Sequence, residues 1–78
     1  MARIDLETIK RIDKDKNMIH TKVYTTYTAF EADGQKYFQI DTYGKSGREM
    51  PEKISQSIQF DKDSAQFLVE LLRKEFDL

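Results

Sequence analysis

Tyr24, Tyr37 and Tyr43 lie in stretches that alternate apolar with polar residues, and Lys22, Lys45, Arg48 and Lys53 accompany them. Aromatic rings interleaved with small hydroxyl side chains form a surface on which unpaired bases can stack, at about 1 to 3 kcal/mol per base, while cations at the rim attract phosphate. Cross-strand pairing also favours tyrosine on any exposed strand, and Asp41, between two of these tyrosines, opposes a continuous phosphate track. The cations fall into two groups. Lys10, Arg11, Lys14 and Lys16 surround a turn interrupted by Asp13 and Asp15, whereas Lys45, Arg48 and Lys53 cluster in or beside one connection. Mixed-sign tips of this kind need no partner to be soluble; the second group is the more compact.

Catalysis and metal binding have little to build on. His20 is the single histidine and there is no cysteine, and no paired-His or His-carboxylate spacing gives His20 a nucleophile or metal role. The fourteen acidic residues are scattered among lysines rather than placed where burial would raise a pKa. Gly44 and Gly47 in "GKSGRE" lack the spacing of a phosphate loop and precede a strand rather than a helix. The expectation is a protein that is not an enzyme and holds neither metal nor organic cofactor.

The chain has 78 residues, one proline and no internal repeat, which suits one domain, residues 1–78. A chain this short removes only about 60 to 65% of its unfolded surface from water. With no disulfide or metal to reinforce so thin a core, a partner subunit is the expected staple, and a homodimer follows. A net charge of -1 excludes general cationic affinity for nucleic acid or anionic membrane, so any such binding must come from a local patch. No apolar run approaches membrane-spanning length and the start lacks a signal-peptide core, which leads to the expectation of a cytoplasmic protein without a membrane partner.

Periodicity supplies the elements that must position these side chains. Ile4, Leu6, Ile9 and Ile12 change phase after Leu6, which fits either a strand with a bulge or a short helical turn. Residues 13–17 form a polar turn. Met18 to Ala32 is rich in β-branched and aromatic residues and reads as one long strand. Asp33-Gly34 signals a type I′ hairpin turn, with Tyr37 to Tyr43 as the return strand. Beyond Gly44, Gly47 and Pro51, a fourth strand carries Ile54, Ile58 and Phe60 on one side. Asp61 or Asp63 caps a final helix; the pair Asp63/Gln66 has capping-box spacing, and Arg73 and Lys74 lie at the negative end of the dipole. The fold class is therefore α+β, a curved antiparallel four-stranded meander followed by one C-terminal helix.

In this arrangement Ile19, Val23, Phe38, Ile40, Ile54, Ile58 and Phe60 share the helix-covered face. The opposite face collects His20, Lys22, Tyr24, Thr26 and Thr28, then Tyr37, Gln39, Asp41 and Tyr43, then Ser55, Ser57 and Gln59. On the helix, Ala65, Leu68, Val69, Leu72 and Phe76 form an apolar stripe that Phe67 and Leu71 widen beyond one side of a small sheet. Phe67 and Leu71 are thus candidates for the dimer interface, unless Phe67 curls over the sheet edge.

This order of hairpin, Gly- and Pro-bearing loop, short strand and helix resembles the single-stranded-DNA-binding domain of the positive cofactor four (transcriptional coactivator p15) family, over roughly residues 23–72. The matching residues are Phe38, Ile40 and Tyr43, then Gly47, Glu49 and Pro51, then Ser57, Ile58 and Phe60, then Asp61 and Leu68. Ser57 stands where that family has glycine, Glu52 follows Pro51 where glycine is usual, Ala65 replaces a helix aromatic, and the span from Pro51 to Ile58 is about two residues longer. The resemblance implies a curved sheet packed on one helix, dimerisation through the helix, and single-stranded nucleic acid held by basic and aromatic side chains.

Two functions follow as expectations. The first is a small dimeric binder of single-stranded DNA or RNA with little sequence selectivity, using Lys22, Tyr24, Tyr37, Tyr43, Lys45, Arg48 and Lys53. The second is a phage or mobile-element interaction factor that uses the same fold to occupy a host nucleic-acid-binding protein, through the exposed tyrosines and arginines common at protein interfaces.

Overall fold

The computed structural model describes residues 1–44 and 53–78. Asp33 and Gly34 adopt φ of 53° and 76°, the left-handed pair that a type I′ turn needs. They join β2 (Thr25–Ala32) to β3 (Gln35–Tyr43) in antiparallel register from Ala32 opposite Gln35 to Thr25 opposite Thr42.

The first hairpin strand is shorter than its composition suggests, beginning at Thr25 rather than Met18. β3 ends at Tyr43, whose N–H reaches Tyr24 O at 3.0 Å, and beyond that point no described strand pairs with residues 18–23. Ile19, His20, Lys22 and Val23 therefore lie before β2 in a stretch without regular structure, exposed except for the half-buried Val23, and the placement of these four on the sheet is corrected.

β4 (Ile54–Phe60) pairs antiparallel with β3. Gln56 faces Thr42 but Ile54 faces Tyr43, so Ser55 is an extra residue without a partner, a β-bulge. One inserted residue reverses the alternation beyond it. Ile54 consequently leaves the side of Ile58 and Phe60 and lines a hollow with Gln39, Ser57 and Gln59 on the opposite face, a second correction. Ser55, the bulged residue, is not a paired member of the polar face.

In the N-terminal segment the bulged strand is not formed: a two-residue strand precedes a turn, which is the nearer of the two alternatives. β1 (Ala2–Arg3) pairs parallel with Ile58 and Gln59, and Ile4 N–H adds a bond to Gln59 O at 2.9 Å. A turn follows: Asp5 Oδ1 accepts from Glu7 N–H and Oδ2 from Thr8 Oγ1, each at 3.0 Å, while Ile9 N–H bonds Asp5 O at 3.1 Å. The sheet order is β1-β4-β3-β2. The fold is α+β, a four-stranded, mostly antiparallel sheet followed by one helix; its first strand joins the far edge in parallel instead of opening the meander.

Helix α1 (Lys62–Phe76) begins at Asp61. Ser64 N–H donates to Asp61 Oδ1 at 2.9 Å and Asp61 N–H returns to Ser64 Oγ at 3.0 Å, so the capping box is Asp61/Ser64, not Asp63/Gln66. The shorter Ser side chain reaches back at position N3, whereas Gln66 turns outward to Glu70. The backbone bond from Ser64, reinforced by its hydroxyl, holds the Asp61 carboxyl below its ordinary value of 3.8. Asp77 ends the helix in the left-handed region at φ 55°, and Leu78 N–H bonds Arg73 O.

The helix meets the sheet chiefly along β4. It does not roof the apolar face as its stripe suggested: Val69, Leu72 and Phe76 are exposed, and Phe60 alone among the described apolar residues is buried. The accessible surface is 7518 Å². A compact monomer of 9.2 kDa would expose about 4,900 Å². The radius of gyration, 14.7 Å, likewise exceeds the about 11.5 Å of a compact chain this long.

Candidate nucleic-acid interface

Strand alternation gathers the polar side chains on one face. Thr26, Asp41 and Ser57 form one row across β2, β3 and β4; Thr28, Gln39 and Gln59 form the next, with Arg3 of β1 beside Gln59; Phe30 and Tyr37 form a third. Tyr24 and Tyr43 close the end of the hairpin away from its turn.

The middle of this face is a hydrogen-bonded ladder. Gln59 Nε2 donates to Gln39 Oε1 at 2.6 Å, Gln39 Nε2 donates to Asp41 Oδ1 at 2.8 Å, and Ser57 Oγ donates to the same oxygen at 2.5 Å. Asp41 is 6% exposed, and among the described residues no buried side-chain polar atom lacks a partner. A carboxylate here is tolerated because two donors replace its lost water. Asp41 is thus buried with both donors aimed at one carboxylate oxygen, and its negative charge is held within the face.

Aromatic pairs flank the ladder. Tyr24 and Tyr43 meet edge to face, 5.2 Å between centroids, and Phe30 lies nearly parallel to Tyr37 at 5.6 Å and 26°. The Arg3 guanidinium lies 5.7 Å from the Tyr37 ring centre, and its Nη1 donates to Tyr37 Oη at 3.5 Å. Such a cation over an aromatic face adds about 0.5 to 1 kcal/mol at an exposed site, and its unused donors remain open to an anion. Arg3, Gln39, Ile54, Ser57 and Gln59 line a shallow hollow of about 300 Å³, at the low end of small-ligand sites.

The structure unites some of the expected site residues and separates others. Tyr37 and Tyr43 are half-buried on the polar face, and Tyr24 reaches it from just before β2. Lys53 is exposed immediately ahead of β4. Lys22 is off the sheet, in the stretch that β3 is too short to pair. Lys45 and Arg48 lie outside the described residues. On the helix, Phe67 is half-buried and Leu71 exposed.

Arg3 and Phe30 belong to the site but were not anticipated. Phe30 could have been found by carrying the alternation one step on from Thr28, whereas Arg3 depends on a two-residue parallel pairing that carries no periodicity of its own. Tyr27 belongs to the other face, stacked on Phe38 at 5.3 Å, and is 71% exposed. Among the described residues no three His, Cys, Asp or Glu side chains group to hold a metal ion, and no helix is long and apolar enough to cross a membrane. Comparison of the chain with family models, curated proteins and solved structures finds no match.

Proposed function

We propose that the protein is a small dimeric, non-enzymatic cytoplasmic module that binds single-stranded DNA or RNA across the polar face of its sheet. The observation that carries this is the convergence of Tyr24, Tyr43, Phe30, Tyr37 and Arg3 on one face around a satisfied polar ladder. Bases stack on the rings and phosphates meet Arg3 and the rim cation Lys53, contacts that are available to any sequence. Gln39 and Ser57 satisfy the Asp41 carboxylate, whose negative charge stays at the centre of the face and restricts phosphates to the rim, at Arg3 and Lys53. The pattern-level resemblance to the positive cofactor four family supports the same assignment.

The second copy covers the open apolar side. Val69, Leu71, Leu72 and Phe76 on the helix, with Tyr27 and Phe38 on the sheet, are too exposed for an isolated domain. The surface excess over a compact monomer is larger than one partner's share of a standard interface, about 800 Å².

Titration with mixed-sequence single strands at about 50 mM salt tests the assignment, because backbone contacts dominate there. Affinity should fall with salt along a log-log line of slope about -0.7 per phosphate neutralised; absence of binding refutes it. The protein-interaction reading is favoured by one observation, the net charge of -1 on a chain whose exposed apolar helix suits a heterologous partner. A stoichiometric host protein retained after nuclease treatment, with no affinity for oligonucleotides, would select that reading instead.

A further inference from the structure

The hydrogen-bond ladder of the polar face has a direction. An ionised carboxylate only accepts, so Asp41 fixes the groups around it: Gln39 must turn Nε2 toward Asp41 and Oε1 toward Gln59, and Ser57 must spend its single proton on Asp41. Gln59 then turns Nε2 to Gln39, so its Oε1 takes no part in the ladder, and Gln59 lines the same hollow as Arg3. The hollow bounded by Arg3, Gln59 and Ser57 therefore presents two oriented acceptors, Gln59 Oε1 and the Ser57 Oγ lone pairs, beside the guanidinium donors of Arg3.

We infer that this hollow takes a single nucleobase and prefers guanine. Guanine alone among the four bases carries two adjacent donors, N1–H and the exocyclic N2 amine, next to acceptors at O6 and N7. The donors match the two oxygens. Thymine or uracil offers one N–H between two carbonyls, which the same acceptors repel. Cytosine and adenine each offer one amino donor and rank between. Asp41 is a positioning residue for this preference: it touches no base but sets the polarity of Gln39, Gln59 and Ser57. Asparagine in its place can donate as well as accept, so the ladder loses its fixed direction.

This preference rests on the single-strand reading, and the test separates the two. Fluorescence anisotropy compares an all-thymine strand of about twelve nucleotides, within the site size of such surfaces, with the same strand carrying interspersed guanines. The expected result is about tenfold tighter binding of the guanine-bearing strand, the lower range of discrimination for a well-placed base contact. In Asp41→Asn the ratio should collapse toward one through weaker binding of that strand, and in Gln59→Met, which removes the oxygen and leaves the Asp41 bonds intact, it should fall likewise. Equal binding of both strands by the native protein overturns the guanine site while leaving the single-strand reading in place. Failure to bind either strand overturns both, and a ratio that survives in Asp41→Asn and Gln59→Met overturns the role of the ladder.

Discussion

Tyr43 Oη lies 3.2 Å from Thr26 Oγ1 across β2 and β3, while the edge of the Tyr24 ring meets the Tyr43 ring at 5.2 Å. Two contacts from one neighbouring strand segment thus fix the orientation of Tyr43 before any ligand arrives. A preset ring loses little conformational freedom on binding, which is the benefit of preorganisation.

Removing the hydroxyl and removing the ring should have different effects. Tyr43→Phe keeps the stacking surface but loses the bond to Thr26, and should lower stability by about 0.5 to 1.5 kcal/mol in urea unfolding. Its affinity for a mixed single strand should be nearly native. Tyr43→Ala should weaken that affinity by about 1 to 3 kcal/mol, the value of one stacked base.

Arg3 and Tyr37 touch each other yet have separable roles. Arg3→Ala should reduce the magnitude of the log-log salt slope by about 0.7, corresponding to one phosphate released. Tyr37→Ala should lower affinity at every salt concentration and leave the slope unchanged, since a stacked base displaces no counterion. Oligonucleotide titrations from about 50 to 200 mM salt distinguish the two patterns.

The apolar side predicts association. Sedimentation equilibrium should give twice the 9.2 kDa chain mass, and the midpoint of thermal unfolding should rise with protein concentration, as it does when folding and dimerisation are linked. Leu71→Asp places a charge on the exposed part of the helix and should dissociate the dimer; Phe67→Asp, at a half-buried position, should also unfold it at micromolar concentration. A native chain that stays monomeric, with unfolding independent of concentration, would contradict the assignment of Phe67 and Leu71 to an interface.

Acid should loosen the start of α1. Because Ser64 lowers the Asp61 pKa in the folded chain, the cap contributes its full stability above the unfolded value near 3.8 and loses it as pH falls through the depressed folded value. Asp61→Asn, still a good cap without a titrating group, should flatten that acid limb in a plot of unfolding temperature against pH. Asp61→Ala should lower the unfolding temperature at neutral pH.

Local chemistry was the legible part of the fold. Asp33-Gly34 specified its turn through a steric rule that few residue pairs satisfy, and the pair Asp61 and Asp63 marked the helix start because unpaired N–H groups there need an acceptor, although which of the two caps it was open. Tyr37, Gln39, Asp41 and Tyr43 could be assigned to one face because period-two alternation runs unbroken through β3. The misplacements arose where the outcome depended on a partner. Met18 to Tyr24 has the composition of a strand, but β3 supplies no paired length beyond Tyr43. Ile54 changed faces because of an inserted Ser55, and a bulge leaves no mark in the alternation of the strand that bears it until the partner's register is known. Arg3 reached the site through a parallel pairing between residues more than fifty positions apart, which no local pattern records.

Chemical-shift mapping of the labelled protein during titration with a mixed-sequence single strand tests the central claim most directly. Amide and side-chain resonances of Thr26, Tyr37, Gln39, Ser57 and Gln59 should move together and saturate together, while those of Val69 and Leu72 on the helix stay in place. Shifts confined to Tyr27, Phe38 and the helix, or no shifts at saturating oligonucleotide, would contradict a nucleic-acid site on the polar face.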